Sequence, residues 1–286
     1  MLSTFSIVAC DMSAGQWGVA VQSKFLAAGA VVPFAQAGVG AVASQANANG
    51  SFGPRGLALL AQGASAQEVV AQLLLDDPGR DTRQLGVVDS QGRAAAHTGQ
   101  RCMDWAGHHV GDGYCCQGNI LAGAAVVAEM ARAFESTGGM LGGRLVAALE
   151  AGQAAGGDRR GQQAAGLLVV RARGGLGGYN DRLIDLRVDE HATPIAELRR
   201  ILVLQQLYFG KTRPEDLLPI RGELALEIQR ILQRAGNYSG PLSGEYDAAT
   251  KAALYTLIHT ENLEEREQPD DRIDRVALDY LRQRFP

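Results

Sequence analysis

The stretch that most constrains the fold is Ser3 to Lys24, STFSIVACDMSAGQWGVAVQSK. An apolar run with hydroxyls at Ser3, Thr4 and Ser6 meets a Gly-containing turn and returns as Trp17-Gly18-Val19-Ala20-Val21-Gln22-Ser23, the pattern of a β-hairpin. The first strand has a buried look and yet carries hydroxyls, which need partners or a purpose.

The rest of the first two thirds repeats the theme. Ala37 to Gln45 is Gly/Ala/Val-rich and strand-like, and Gln84 to Gly99 reads as a second hairpin turning at Ser90-Gln91-Gly92. Further strands are expected at Gly113 to Gln117, Ala164 to Arg171 and Leu183 to Val188. Between them, Ser65-Ala66-Gln67-Glu68 is a capping box opening a helix over Val69 to Leu75, and Ala124 to Phe134 and Leu141 to Ala151 have helical apolar spacing. Thr193-Pro194 makes an N-cap and first-turn pair for a helix that stops at Gly210. Antiparallel strand pairs with segregated helices predict a layered α+β domain.

Lys211 to Gly222, with Pro214 and Pro219, breaks every period, which predicts a domain over 1–210, a linker at 211–222 and a small helical domain over 223–286. In that last part Leu224, Ile228, Ile231 and Leu232 mark one amphipathic helix. Gly236 to Asp247 is a turn-rich loop, Ala248 to Ile258 a second helix and Ile273 to Arg284 a last one. Charge shifts at the same place. Residues 214–286 carry 14 acidic and 9 basic side chains, against 17 and 18 before them. Neither part has the basic face of a nucleic-acid binder.

With 286 residues, 46% of them hydrophobic, the chain can bury one large core and one small one. No apolar run approaches the roughly eighteen residues of a membrane span and no export signal follows Met1, so the expected compartment is the cytoplasm and the expected assembly a homodimer. Cys10, Cys102, Cys115 and Cys116 lack CxxC spacing and are expected to be free buried thiols. A cysteine enzyme built on Cys10 or Cys116 would lack a base nearby in sequence.

A Ser or Thr hydroxyl becomes a nucleophile when a base takes its proton, and a first residue can use its own α-amine, of pKa about 8. Thr4 on the opening strand is the candidate, and the competing possibility is that Thr4 and Ser6 merely alternate with Phe5 and Ile7 on a half-exposed strand. Lys24 is one of only three lysines among 27 basic residues, which points to a use for a compact ammonium or to a plain surface charge. Ser44, Gln45, Asn47 and Asn49, in SQANANGSFGPRG, offer donors to a substrate carbonyl or cap their own loop before a Gly-Pro break. His97 ends a small-residue strand, and His108-His109 lacks the ligand count for a metal site. Gln117 and Asn119 flank Gly118, where backbone can approach a ligand closely, and Asp158, Arg159 and Arg160 lie in a Gly-flanked loop able to bind a carboxylate or to pair internally.

Taken together, TFSIVACD, AGVGAVASQANAN, DDPGRDTRQLGVVDSQGRAAAHTG, GYCCQGNILAG and GGDRRGQQAA resemble the bacterial family catalogued as domain of unknown function 1028, of the Ntn-hydrolase superfamily, over about Ser3 to Leu204. The resemblance implies a four-layer αββα sandwich and an amide-bond hydrolase acting on a small amide or peptide-like molecule. It implies Thr4 as nucleophile, to which the reading of the residues adds Lys24 as a nearby charge and Asn119 or the Ser44–Asn49 loop at the oxyanion, with no cofactor and no metal expected. Met1, Leu2 and Ser3 precede Thr4 here, so its α-amine is tied up in a peptide bond until the chain is trimmed. Ile228 to Leu263 resembles a peptidoglycan-binding-like module, which implies a glycan or peptidoglycan-fragment ligand. A rival to the enzyme is a non-catalytic binding protein that keeps the fold and never frees Thr4.

Overall fold

The computed structural model describes residues 4–286. Contacts divide it into two compact units, one ending at Leu202 and one running from Val203 to Pro286.

The strands of the first unit are β1 (Thr4–Asp11), β2 (Gln16–Ser23), β3 (Pro33–Gln36), β4 (Gly40–Ala46), β5 (Arg83–Asp89), β6 (Ala94–Thr98), β7 (Gly107–Gly111), β8 (Tyr114–Asn119), β9 (Ala164–Arg171) and β10 (Arg182–Val188). They form two antiparallel sheets, ordered β10-β9-β2-β1-β8-β7 and β3-β4-β5-β6. The earliest strand is therefore an interior one, hydrogen-bonded to β2 on one side and β8 on the other.

Side-chain alternation sets the layers. Phe5, Ile7 and Ala9 of β1 pack with Met130 and Phe134 of α3 (Ala125–Ser136) and Leu145 and Leu149 of α4 (Leu141–Ala154). Val8 and Cys10 point the other way, into a core shared with Val19 and Val21 of β2 and Ala41, Ala43 and Val88 of the second sheet. The outer face of that sheet, through Val42, Leu85 and Val87, packs on α1 (Phe52–Ala61) and α2 (Ala66–Leu75). Helices, six strands, four strands and helices thus stack as a four-layer αββα sandwich. The capping box at Ser65 and Glu68 is formed, each side chain reaching the other's backbone N–H.

Three elements differ from the sequence reading. The segment expected to break at Gly53-Pro54 is helix α1, because Pro54 falls in the first turn, where no intrahelical partner for its missing N–H is required. The missing Cβ of Gly53 leaves room for the Phe34 ring. Short edge strands β3 and β7 occupy stretches without strong alternation.

Helix α5 (Pro194–Phe209) passes from one unit into the other: Ile195, Leu198 and Leu202 lie in the α3/α4 core and Leu207 in the core of the second unit. That second core is built by α6 (Glu223–Arg234), α7 (Ala248–Thr260) and α8 (Arg275–Arg284). The stretch Lys211 to Gly222, read as a linker, contributes β11 (Leu217–Pro219), which pairs with β12 (Arg272–Asp274), and buries Ile220. A helical unit with a two-stranded clasp results. Arg266 and Asp274 form a buried ion pair in it at 3.1 Å. The Arg266 Nε donates to Leu207 O at 2.6 Å, and Asp274 caps α8 by accepting from the Val276 N–H at 2.7 Å. These extra bonds are what make a buried pair tolerable. Among the described residues no helix is long and apolar enough to cross a membrane.

Candidate functional site

Thr4 stands at the start of β1, opposite Ser23 of β2 and opposite Asn119 of β8. Being on the Val8/Cys10 face of the strand, it points between the two sheets, and it is completely buried. Its hydroxyl donates to Ser23 Oγ at 3.2 Å.

Where β1 turns from Val8 to Ser6 and Thr4, the inter-sheet layer changes from apolar to amide. The Ser6 hydroxyl donates to Gln45 Oε1 at 2.6 Å and accepts from Gln117 Nε2 at 2.6 Å. Gln45 Nε2 and Asn119 Nδ2 both donate to Gln84 Oε1 at 2.9 Å. Gln84 Nε2 in turn donates to Gly118 O at 2.7 Å and Thr98 Oγ1 at 3.0 Å, and Thr98 Oγ1 meets His108 Nδ1 at 2.9 Å. The network ties Thr4, Ser6, Gln117 and Asn119 of one sheet to Gln45, Gln84 and Thr98 of the other. Gly86 allows this approach, since a Cβ there would collide with the Gln117 amide. Desolvation of the ring, together with repulsion from His97 and His109, holds the His108 pKa below the usual histidine range, so it meets Thr98 as a neutral imidazole near neutral pH.

Asp158 fixes the end of the sheet. Its side chain is fully buried and accepts from the Lys24 N–H at 3.2 Å and the Arg160 N–H at 2.9 Å, with the Arg160 guanidinium at 3.2 Å. The Lys24 ammonium reaches outward to Gln162 O at 3.2 Å, so the Thr4 hydroxyl is served by Ser23 and not by Lys24. Arg159 joins the same end: its N–H donates to Ile120 O at 3.0 Å and its guanidinium to Asp104 O.

Thus Thr4, Asn119, Gln45, Lys24, Asp158, Arg159 and Arg160 gather at one end of the sandwich. Four residues grouped with them in the sequence do not. Ser44 and His97 alternate onto the opposite, helix-facing sides of their strands, where Ser44 bonds Asn49 O at 3.3 Å and His97 meets Arg80 O at 3.1 Å. Asn49 accepts from the Ser51 N–H and hydroxyl ahead of α1 and so holds its own loop, whereas Asn47 Nδ2 donates to Thr82 Oγ1 and ties that loop to the turn before β5. Sequence reading noted the Ser6 hydroxyl without giving it a role and missed Ser23, Gln84 and Thr98. Their signal was a polar residue at inward positions of otherwise apolar strands.

The four cysteines are free and buried. Burial pushes the Cys10 thiol up to about 11 and Cys115 to about 12, the opposite of an activated nucleophile. Among the described residues no group of three or more His, Cys, Asp or Glu side chains is placed to hold a metal ion.

Fold and site together define the first unit as an αββα sandwich protein with a buried polar end around its first strand. Residues 4–198 match the family of unknown function DUF1028, and the chain belongs to that family. Residues 208–281 match a peptidoglycan-binding-like domain family. The solved structures include a similar one, protein SPO2555 from Silicibacter pomeroyi, itself of the DUF1028 family. It is 31% identical, with a TM-score of 0.66 over 72% of this chain and 87% of that one. No curated protein matches.

Proposed function

We propose that the αββα unit is an N-terminal-nucleophile hydrolase of a C–N bond in a small amide, and that it is silent until the peptide ahead of Thr4 is removed. One observation carries the reading: a hydroxyl that opens an interior strand faces the inter-sheet layer amid amides that a merely structural core would not need. Every buried amide left unpaired costs about 1–3 kcal/mol, so apolar residues would serve stability at lower risk.

In the trimmed chain the α-amine of Thr4 takes the hydroxyl proton, directly or through Ser23. Thr4 Oγ1 then attacks the amide carbon, the amine leaves with a proton, and water hydrolyses the resulting ester to acid and free Thr4. Asn119, directly opposite Thr4 in the register, supplies a donor to the oxyanion. The residues on which latency rests, Met1 to Ser3, lie outside the described ones. A chain engineered to begin at Thr4 is expected to hydrolyse a small amide that the full-length protein leaves intact, with Thr4→Ala reducing the rate at least ~1,000-fold. Equal activity of the full-length chain and of its Thr4→Ala variant overturns the mechanism.

A second reading, a non-catalytic binder of a glycan or peptidoglycan fragment, has its own observation in the second unit. There a pocket of about 340 Å³ is lined by Tyr246, Tyr255, Lys251 and Asp271. Tyr255 is 54% exposed and packs at a tilt of 33° against the His259 ring, centroids 4.1 Å apart, offering an aromatic surface of the kind sugars pack on. Retention of the full chain on insoluble peptidoglycan, lost in Tyr255→Ala, supports it; no retention removes it.

A further inference from the structure

The two strands that flank Thr4 end in the same way, and this says what kind of amide the site takes. On the β2 side Ser23, opposite Thr4, is followed by Lys24, Phe25 and Leu26. On the β8 side Asn119, also opposite Thr4, is followed by Ile120 and Leu121, whose N–H groups donate to Met103 O at 2.9 Å and Trp105 O at 3.0 Å, and Ile120 O holds the Arg159 N–H. Each flank therefore presents one cation beside exposed apolar surface: Lys24 with Phe25 and Leu26 (41% and 57% exposed), and Arg159 with Met103 (49%).

The two cations are not directly paired. Asp158 is saturated by Arg160 and by backbone N–H groups, so it neutralises Arg160 and takes only the main chain of Lys24. Lys24 Nζ and the Arg159 guanidinium rest on carbonyl oxygens, and neither has a carboxylate within ion-pair distance among the described residues. The exposed Asp104, whose carbonyl holds Arg159, and Asp189 and Glu190, which join this end where the Ala27 N–H donates to Asp189 O and the His191 N–H to Gln163 O, border the rim without forming an ion pair with either cation. Carbonyl partners keep a cation oriented without discharging it, which is how a protein prepares a carboxylate subsite.

We infer that the Thr4 end of the sandwich takes an anionic, amphipathic amide of the N-acyl amino acid class, its carboxylate held by Lys24 and Arg159 and its apolar group by Phe25, Leu26 and Met103. This rests on the hydrolase reading only for the fate of the ligand, not for its binding.

The test pairs N-acetyl-leucine with its neutral analogue lacking the carboxylate, N-(3-methylbutyl)acetamide. Binding of each to the full-length protein is followed by ligand-observed NMR. The acid is expected to bind at least ~10-fold more tightly, and Lys24→Gln/Arg159→Gln, which leaves the Lys24 N–H to Asp158, is expected to abolish the difference while its melting temperature stays near that of the parent. Equal binding of the two ligands, or a preference that survives in the folded double variant, overturns the inference. The chain beginning at Thr4 separates this from the hydrolase reading: release of leucine from N-acetyl-leucine supports both. Carboxylate-dependent binding with no amine released from either amide leaves the rim assignment standing and removes the hydrolase.

Discussion

The layer between the two sheets has two ends made by the same strands with the same alternation, and they obey different rules. At one end Val8, Val19, Val21, Ala43 and Cys115 meet as an apolar core. At the other, Thr4, Ser6, Gln45, Gln84, Gln117 and Asn119 meet as a hydrogen-bonded network in which Gln117 Oε1 has no partner. Apolar packing tolerates the loss of one member in proportion to the volume removed, whereas an amide network loses every bond of the group deleted and orphans its partners. The apolar end holds the sandwich together. The polar end constrains one geometry around Thr4.

That contrast is open to measurement. The largest effect is expected from Gln84→Leu, which removes the acceptor shared by Gln45 Nε2 and Asn119 Nδ2 and the donor to Gly118 O. Urea unfolding should show a loss of roughly 3 kcal/mol or more, and a loss under 1 would mean the amides are not a unit. Val19→Ala at the apolar end should cost about 2 kcal/mol by transfer and cavity terms. If it costs more than Gln84→Leu, the comparison is reversed.

The thiols of the apolar end give a third handle. Unfolded thiols ionise near 9.0, whereas burial delays Cys10 to about 11 and Cys115 to about 12. The unfolded chain therefore loses protons first as pH rises. The thiols' contribution is whole below pH 9 and falls between about 9 and 12, by at most ~1.4 kcal/mol per pH unit for each thiol. Cys115→Ala should flatten that fall in unfolding curves taken at pH 8 to 11. The smallest effect on stability is expected from Thr4→Val, which removes only the bond to Ser23 and should cost about 1 kcal/mol in the full-length chain. The same change in a chain beginning at Thr4 should end hydrolysis, a dissociation of stability from activity that no residue of the apolar end would show.

Much of the sandwich is legible in the sequence because its strands carry their own signals. β9 occupies the expected residues, both hairpins turn where Gly requires, and Glu68 announces α2. The edge strands β3 and β7 lack such signals, since a strand paired on one side only need not alternate strongly. Thr4, Asn119 and Gln45 were legible as a polar opening, a Gly-flanked amide and an amide-rich segment. Gln84 was not. It sits 35 residues from Asn119 and 39 from Gln45 in sequence, and its bonds exist only because two sheets face one another. Ser44 and Gln45 make the point in miniature: adjacent in sequence, they face opposite layers, and only the sheet register tells which one looks at Thr4.

The interior position of β1 also sets a schedule. Of the six strands in its sheet it leaves the ribosome first, and β2 can pair with it at once, but its other neighbour, β8, begins only at Tyr114. During the synthesis of roughly a hundred further residues, a matter of several seconds, one edge of β1 stays open. Once β8 and the amides of the second sheet close over it, Thr4 is completely buried. If the trimming proposed above takes place during synthesis, it competes with the folding of its own substrate, and slowing translation between Ser23 and Tyr114 should raise the trimmed fraction without changing any residue.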